Sequence, residues 1–281
     1  MTLIAIVLGT LTAGIGSVWL AAALSFGLLA RYTQHMLSLA AGALLATAFM
    51  HLLPEAFESQ AGAKELFLTL LVGLVFFFLL DKAELWHHGH EHHHHAGHEP
   101  HLATASNPGG PGHAHDHGPA HEHGHAHTEP AKAGTWAVLT GDSVHCFGDG
   151  VLIASAFMAD MRLGVIASLA VLAHEVPHHM GDLMVLRHAA STRNAALIKV
   201  SLAGAVTAIG GLVGYWLVDL LQDYQPYFLV VASSSFMYVA LADLIPQLQK
   251  RLSARETAAQ IVWLLAGIGL VTWVSGMAHG H

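Results

Sequence analysis

Two stretches of this chain carry histidines and carboxylates at helical spacing. The first reads Gly141-Asp142-Ser143-Val144-His145-Cys146-Phe147-Gly148-Asp149-Gly150, and the second His174-Glu175-Val176-Pro177-His178-His179-Met180-Gly181-Asp182. His145 and Asp149 are i,i+4, as are His174 and His178. On a helix such pairs share a face, with Cβ atoms about 5–6 Å apart. Zinc bonds histidine nitrogen at about 2.0–2.1 Å and carboxylate oxygen at about 2.0–2.2 Å. Two such pairs on facing helices therefore supply three nitrogens and one oxygen, a tetrahedral set. Glu175 and His179 form another i,i+4 pair, rotated by about 100°. With Cys146, one step after His145, and with Asp182, they make an adjoining site or a relay. Gly148, Gly150 and Pro177 are expected to loosen both helices at this level. Proline removes a backbone hydrogen bond, and broken helix is tolerated in a membrane where it lines a cavity.

The elements that must position these residues are apolar. Of 281 residues 54% are hydrophobic and 11% charged, against about 25% charged in soluble domains. A span needs roughly 20 apolar residues, and runs of that size recur along the chain. The reading is an all-α integral membrane protein with eight spans near 2–30, 34–57, 64–86, 135–159, 163–188, 197–221, 225–249 and 257–277. The N-terminal run lacks the basic start of a signal peptide and is too long for its apolar core. It reads as the first span. Ionisable groups at a bilayer centre cost about 2.5–3.5 kcal/mol each, so the fourth and fifth spans need a compensating partner. A divalent cation is the natural one. The single cysteine, Cys146, excludes an intramolecular disulfide, and the formal charge of −8 says little about partners because 25 histidines add charge as pH falls; no nucleic acid partner is expected.

Basic residues orient the spans. Odd-numbered loops hold Arg31, Lys82, Lys132, Arg187, Arg193, Lys199, Lys250, Arg251 and Arg255, whereas even-numbered loops hold only Lys64 and Arg162. Odd loops are then cytoplasmic and both termini outside, in a cell (inner) membrane. An internal echo relates His51-Leu52-Leu53-Pro54-Glu55 of the second span to Asp243-Leu244-Ile245-Pro246-Gln247 of the seventh. Inverted repeats of this kind are a transporter feature. His51 and Glu55 read as a kinked polar gate or as part of the metal pathway. His35 and His188 read as interfacial, and His279 and His281 as incidental tail residues.

Between spans three (ending at 86) and four (starting at 135) lies the one long interruption, 87–134. It holds 16 histidines from His87 to His127 among Gly, Pro, Ala, Asn and Glu. Such a segment buries too little apolar surface to fold alone. The reading is a disordered cytoplasmic loop that binds zinc, copper, nickel or iron with little choice among them.

The chain resembles the ZIP (Zrt/Irt-like) metal transporters, in particular the LIV-1 branch. That branch's fourth span reads H-N-F-x-D-G and its fifth H-E-x-P-H-E-x-G-D. Here they read His145-Cys146-Phe147-Gly148-Asp149-Gly150 and His174-Glu175-Val176-Pro177-His178-His179-Met180-Gly181-Asp182. The resemblance implies import into the cytosol by alternating access, with His145, Asp149, His174 and His178 as primary ligands. It also implies a tendency to pair with a second copy. Zinc is expected as cargo, with iron, manganese or cadmium as alternatives, and no prosthetic group. Two residues depart from the pattern. Cys146 stands for the usual Asn and His179 for the second Glu, which favours zinc or a softer ion. The sixth span offers Ser201 and Thr207 where a second metal site would want a carboxylate. Two rivals use the same fragments. His174-Glu175-Val176-Pro177-His178 is formally the H-E-x-x-H of an intramembrane zinc protease, opposed by Pro177 and by the second ligand pair. Exporters of the cation-diffusion type also use H-x-x-x-D pairs and His-rich loops, usually with six spans and a C-terminal soluble domain.

Overall fold

The computed structural model describes residues 1–25, 33–89, 131–189, 192–249 and 253–277. Among these every regular element is helical. A helix satisfies its backbone groups within one segment, which a hydrocarbon surrounding demands. The rods are α1 (2–25), α2 (33–57), α3 (Ala63–Gly89), α4 (Ala131–Ala159), α5 (Met161–Ala189), α6 (Arg193–Leu220), α7 (225–248) and α8 (Ala254–Met277). Six of them, all but α4 and α5, are long and apolar enough to cross a membrane by length and composition. α4 and α5 are 29 residues each, so length is not what sets them apart. Their interiors carry the ionisable residues singled out above. Most of the His-rich stretch, and with it Arg31, His279 and His281, lies outside the described residues. α3 runs on to Gly89 and α4 begins at Ala131, so both helices reach a few residues into it.

A single residue, Asp160, separates α4 from α5. Its Oδ1 accepts hydrogen bonds from the Arg162 and Leu163 amides at 2.8 and 3.4 Å, satisfying donors that the first turn of α5 leaves open. So tight a connection makes α4 and α5 antiparallel neighbours. The two ligand-bearing stretches thereby come to the same depth.

α2 and α7 form the buried centre. Ala40, Ala41, Leu44, Ala48 and Leu52 of α2 and Leu229, Val230 and Phe236 of α7 are all buried in one core. α8 packs along α2 and α3 along α7. Tyr227 and Tyr238 donate hydrogen bonds to Glu65 and Asp81 at 2.8 and 3.1 Å, tying α7 to α3. Both central rods contain a widened π-helical turn, Ala48–Leu52 in α2 and Val239–Leu244 in α7. Each turn ends two residues before a proline, Pro54 or Pro246. A proline ring clashes with the carbonyl four residues back, which here is Met50 or Ala242, inside the widened turn. The π geometry takes up that clash without breaking the rod.

The expected loosening at Gly148, Gly150 and Pro177 is not what the structure shows. α4 and α5 run unbroken through all three. Gly150 instead serves close approach: a Cβ there would collide with the Thr207 carbonyl and the Gly211 amide of α6. Gly210 of α6 is its counterpart, with its missing Cβ directed at the Phe147 carbonyl of α4. Small residues let helix backbones meet in this way. Pro177 still removes one hydrogen bond, leaving the Ala173 carbonyl without its helical donor.

Candidate metal centre

The α4–α5 hairpin brings histidines, carboxylates and the cysteine into three groups, each with ligand atoms within 4.8 Å of one another. The first joins His145 and Asp149 of α4 to His174 and Glu175 of α5. His174 Nε2 lies 3.2 Å from Asp149 Oδ2, 3.3 Å from Glu175 Oε1 and 3.4 Å from His145 Nε2. His145 Nε2 is 3.2 Å from Glu175 Oε1 and 3.8 Å from Asp149 Oδ2. His174 Nδ1 lies 3.3 Å from the Ala170 carbonyl. A carbonyl only accepts, so Nδ1 carries the proton and Nε2 presents its lone pair to the group. Fixing a ligand histidine through its other nitrogen is the usual device at metal sites.

The second group joins Asp142 and Cys146 to Glu175 and His179, all four buried. His179 Nε2 is 3.1 Å from Glu175 Oε2 and 3.7 Å from Asp142 Oδ1. The Cys146 sulfur is 3.7 Å from Asp142 Oδ1 and 3.9 Å from Glu175 Oε2. Thr207 of α6 is buried, with its backbone carbonyl against Gly150 of α4, so α6 brings a hydroxyl residue to this part of α4 where no carboxylate is present. Ser17 of α1 reaches across to the same group. Its hydroxyl donates to the Gly14 carbonyl at 2.6 Å, and its oxygen lies 2.9 Å from His179 Nδ1. The single hydroxyl proton is already used, so Nδ1 donates to Ser17 and Nε2 is left as the ligand nitrogen. Ser17→Ala should weaken metal binding at Cys146 and His179 about ten-fold and leave the His145 group unchanged. Cadmium titration, followed by sulfur-to-cadmium charge-transfer absorption, reads the Cys146 side alone. Unchanged affinity there would remove Ser17 from this role.

The third group is Asp142, His178 and Asp182. His178 is the one member of the expected four-ligand set that does not converge with His145, Asp149 and His174. Four residues past His174, it sits about 6 Å further along α5. There its Nδ1 faces Asp182 Oδ2 at 3.4 Å and Asp142 Oδ1 at 3.6 Å. Glu175 takes its place in the first group. His145 and His178 remain neighbours, with ring centroids 5.5 Å apart. Asp142 is the residue the sequence reading left out. It is four residues before Cys146, so the same periodicity could have found it. His51 and Glu55, on α2, belong to none of these groups among the described residues. His35 stacks on Trp263 of α8 at 5.8 Å.

Asp142 Oδ2, Asp149 Oδ2, Glu175 Oε1, His179 Nε2 and Asp182 Oδ2 are buried without a hydrogen-bond partner. Several of these atoms nevertheless lie 3.1–3.4 Å from a neighbouring ligand atom. Close approach without an aligned hydrogen means that the lone pairs converge on shared space rather than on each other. Buried polar groups left this way are costly, and a cation coordinated by them removes the cost.

Known proteins with similar sequences are metal transporters. Human zinc transporter ZIP4 is 29% identical over 85% of this chain and 41% of its own length. Human zinc transporter ZIP13 is 28% identical over 84% of this chain and 68% of its own length. The Drosophila melanogaster zinc transporter foi is 32% identical over 52% of this chain and 21% of its own length. The chain thus spans about two fifths of human ZIP4, and its match covers 20% of the rat and mouse forms. The family model described as ZIP zinc transporter matches residues 1–275, nearly the whole chain, so this protein belongs to the ZIP family.

Proposed function

We propose that this chain carries a divalent metal ion, zinc foremost, across a membrane into the cytosol. The ion is held between α4 and α5 by His145, Asp149, His174 and Glu175, and alternating access exposes that site to each side in turn. The observation that carries this reading is the convergence of unpartnered, buried lone pairs from two helices. The relatives' printed names, all zinc transporters, support the same cargo. α4 and α5 complete a set of eight spans, their polar cost offset by the ion they carry. The charge bias of the loops supports termini outside and the 87–134 stretch inside, where it would bind metal delivered through the site.

The inverted-repeat reading has support beyond the sequence echo. α2 and α7 share a π turn followed by proline at the echoed positions. Each packs across the other's widened turn, and each carries one outer helix, α8 or α3. His51, within the α2 turn, and Glu55, just beyond it, stand as residues of the pathway on the opposite side from the His-rich stretch.

Import is tested by labelled zinc in cells expressing the full chain; net efflux would sink this reading in favour of an exporter. Cleavage of a membrane peptide by the purified protein would revive the protease. In proteoliposomes, lowering the pH on both sides from about 7.5 to about 5.5 should slow uptake, because ligands must be deprotonated to bind metal and protons compete with the ion for them. Uptake that is flat across this range would count against histidine ligands.

A further inference from the structure

Among the described residues, a third rod also contains a widened π turn. The turns of α2 and α7 are each followed by a proline two residues past the turn's end, Pro54 after Leu52 and Pro246 after Leu244. The ring of each crowds a carbonyl inside its own turn, so these two turns are pinned where they stand. The third lies in α1, at Thr12–Gly16. Val18 holds the matching position, and residues 2–25 contain no proline. No ring pins the turn of α1.

The surroundings of that turn are close-fitting. A Cβ at Gly14, its middle residue, would collide with the Gly204 carbonyl and the Thr207 side chain of α6. Gly204 in turn lies against the Gly14 carbonyl, and Gly211 against Thr10 and Ile6. Small residues let the two backbones meet, and contacts this close keep α1 from turning as a whole rod. The first residue past the turn is Ser17, which is fully buried. Its hydroxyl donates to the Gly14 carbonyl inside the turn, and its oxygen faces His179 Nδ1. The contact between α1 and His179 therefore depends on the residue that adjoins an unpinned turn.

Resting on the transport reading above, we infer that the π turn of α1 is a movable switch that engages and releases His179 through Ser17. A π turn stores one extra residue within an α-helix. The flanking segments keep their faces wherever that residue is stored, so the turn can move along a rod that itself stays in place. Each residue it passes is rotated by about 100°, one helical position. A single step, from 12–16 to 13–17, passes Ser17 alone. The hydroxyl swings off His179, while Thr10 stays seated on α6 and Val18 in its core with Leu139, Leu186 and Val200. Gly14 and Gly16 carry no side chain to obstruct the step. With Ser17 engaged, His179 Nδ1 is held and Nε2 is aimed at the ion, which favours tight binding. With Ser17 withdrawn, the ligand is loose and the ion is free to leave. A carrier visits both conditions in each cycle.

The test gives α1 the pin that α2 and α7 already have. Val18→Pro sets a ring two residues past the turn, against the Gly14 carbonyl, as Pro54 stands against that of Met50. The turn absorbs the clash and can no longer move. Deleting Gly16 removes the stored residue instead, leaving a plain α-helix with Ser17 fixed on one face. Cadmium titration of the purified full chain, followed by sulfur-to-cadmium absorption, reads the group of His179 through Cys146, the one cysteine. Labelled zinc uptake into proteoliposomes reads turnover. Both variants should keep the cadmium affinity of the unaltered protein, and the maximal rate of zinc uptake should fall at least about ten-fold. Should one variant lose cadmium binding, the other decides. Normal uptake by a variant that still binds cadmium would overturn the switch. Loss of cadmium binding in both would make the turn a structural part of the site and overturn it equally. No zinc uptake by the unaltered chain would instead sink the transport reading itself.

Discussion

Replacing His174 by alanine should abolish zinc uptake, lowering it by at least about 100-fold, since even outer-shell changes at metal sites cost 10–100-fold. His174 Nε2 is the centre of the first group, within 3.2–3.4 Å of Asp149, Glu175 and His145. Alanine removes that nitrogen and leaves two buried carboxylates facing a single imidazole. The site would then bind an ion with three donors, or take a proton to relieve the repulsion. Neither state is a transport site. Membrane insertion should not suffer, because α5 becomes more apolar. Labelled zinc uptake at matched amounts of inserted protein measures the effect. His145→Ala should behave alike, with a smaller loss, because the His145 side chain is 30% exposed and approaches Asp149 only to 3.8 Å. Near-normal uptake by His174→Ala would refute the site.

Helical spacing made much of this centre legible. It put His145 and Asp149 on one face, and it separated Glu175 and His179 from His174 by the rotation of one residue. It could not show reach. Glu175 points about 100° away from His174 on the helix, yet its long side chain turns back. Oε1 lies among the first group and Oε2 among the second. For His178 the spacing left the height along α5 open. A shared face does not fix height, and one turn of rise carries it to Asp142 and Asp182. The glycines misled because their meaning is tertiary. Gly150 looks like a weak point in α4 until α6 is laid against it. The π turns were legible only in part. Pro54 and Pro246 announce a disturbance, but the choice between a kink and a widened turn depends on how α2 and α7 cross. Ser17 was out of reach altogether, since nothing local links a serine in α1 to a histidine in α5.

Glu175→Gln should be at least as damaging as His174→Ala, with uptake reduced about 100-fold or more. The reason is its division of labour. One carboxylate oxygen faces His145 and His174 at 3.2 and 3.3 Å, and the other faces His179 at 3.1 Å. Glutamine offers one oxygen and one NH2 group. Whichever way the amide turns, one group keeps a ligand and the other receives donors aimed at the space an ion would fill. The substitution also leaves Asp142, Asp149 and Asp182 as the carboxylates of the cluster, too few to balance two divalent charges. Zinc bound beyond the ions held by the His-rich 87–134 stretch should therefore fall by about one. Glu175→Asp separates charge from reach. Its carboxylate is intact but withdrawn by about 1.5 Å, one carbon–carbon bond, so it can serve one group and not bridge both. Binding of a single ion with transport still lost is the expected result for that variant. Full transport by Glu175→Asp would show that bridging is dispensable, and full transport by Glu175→Gln would show that the two groups do not act together.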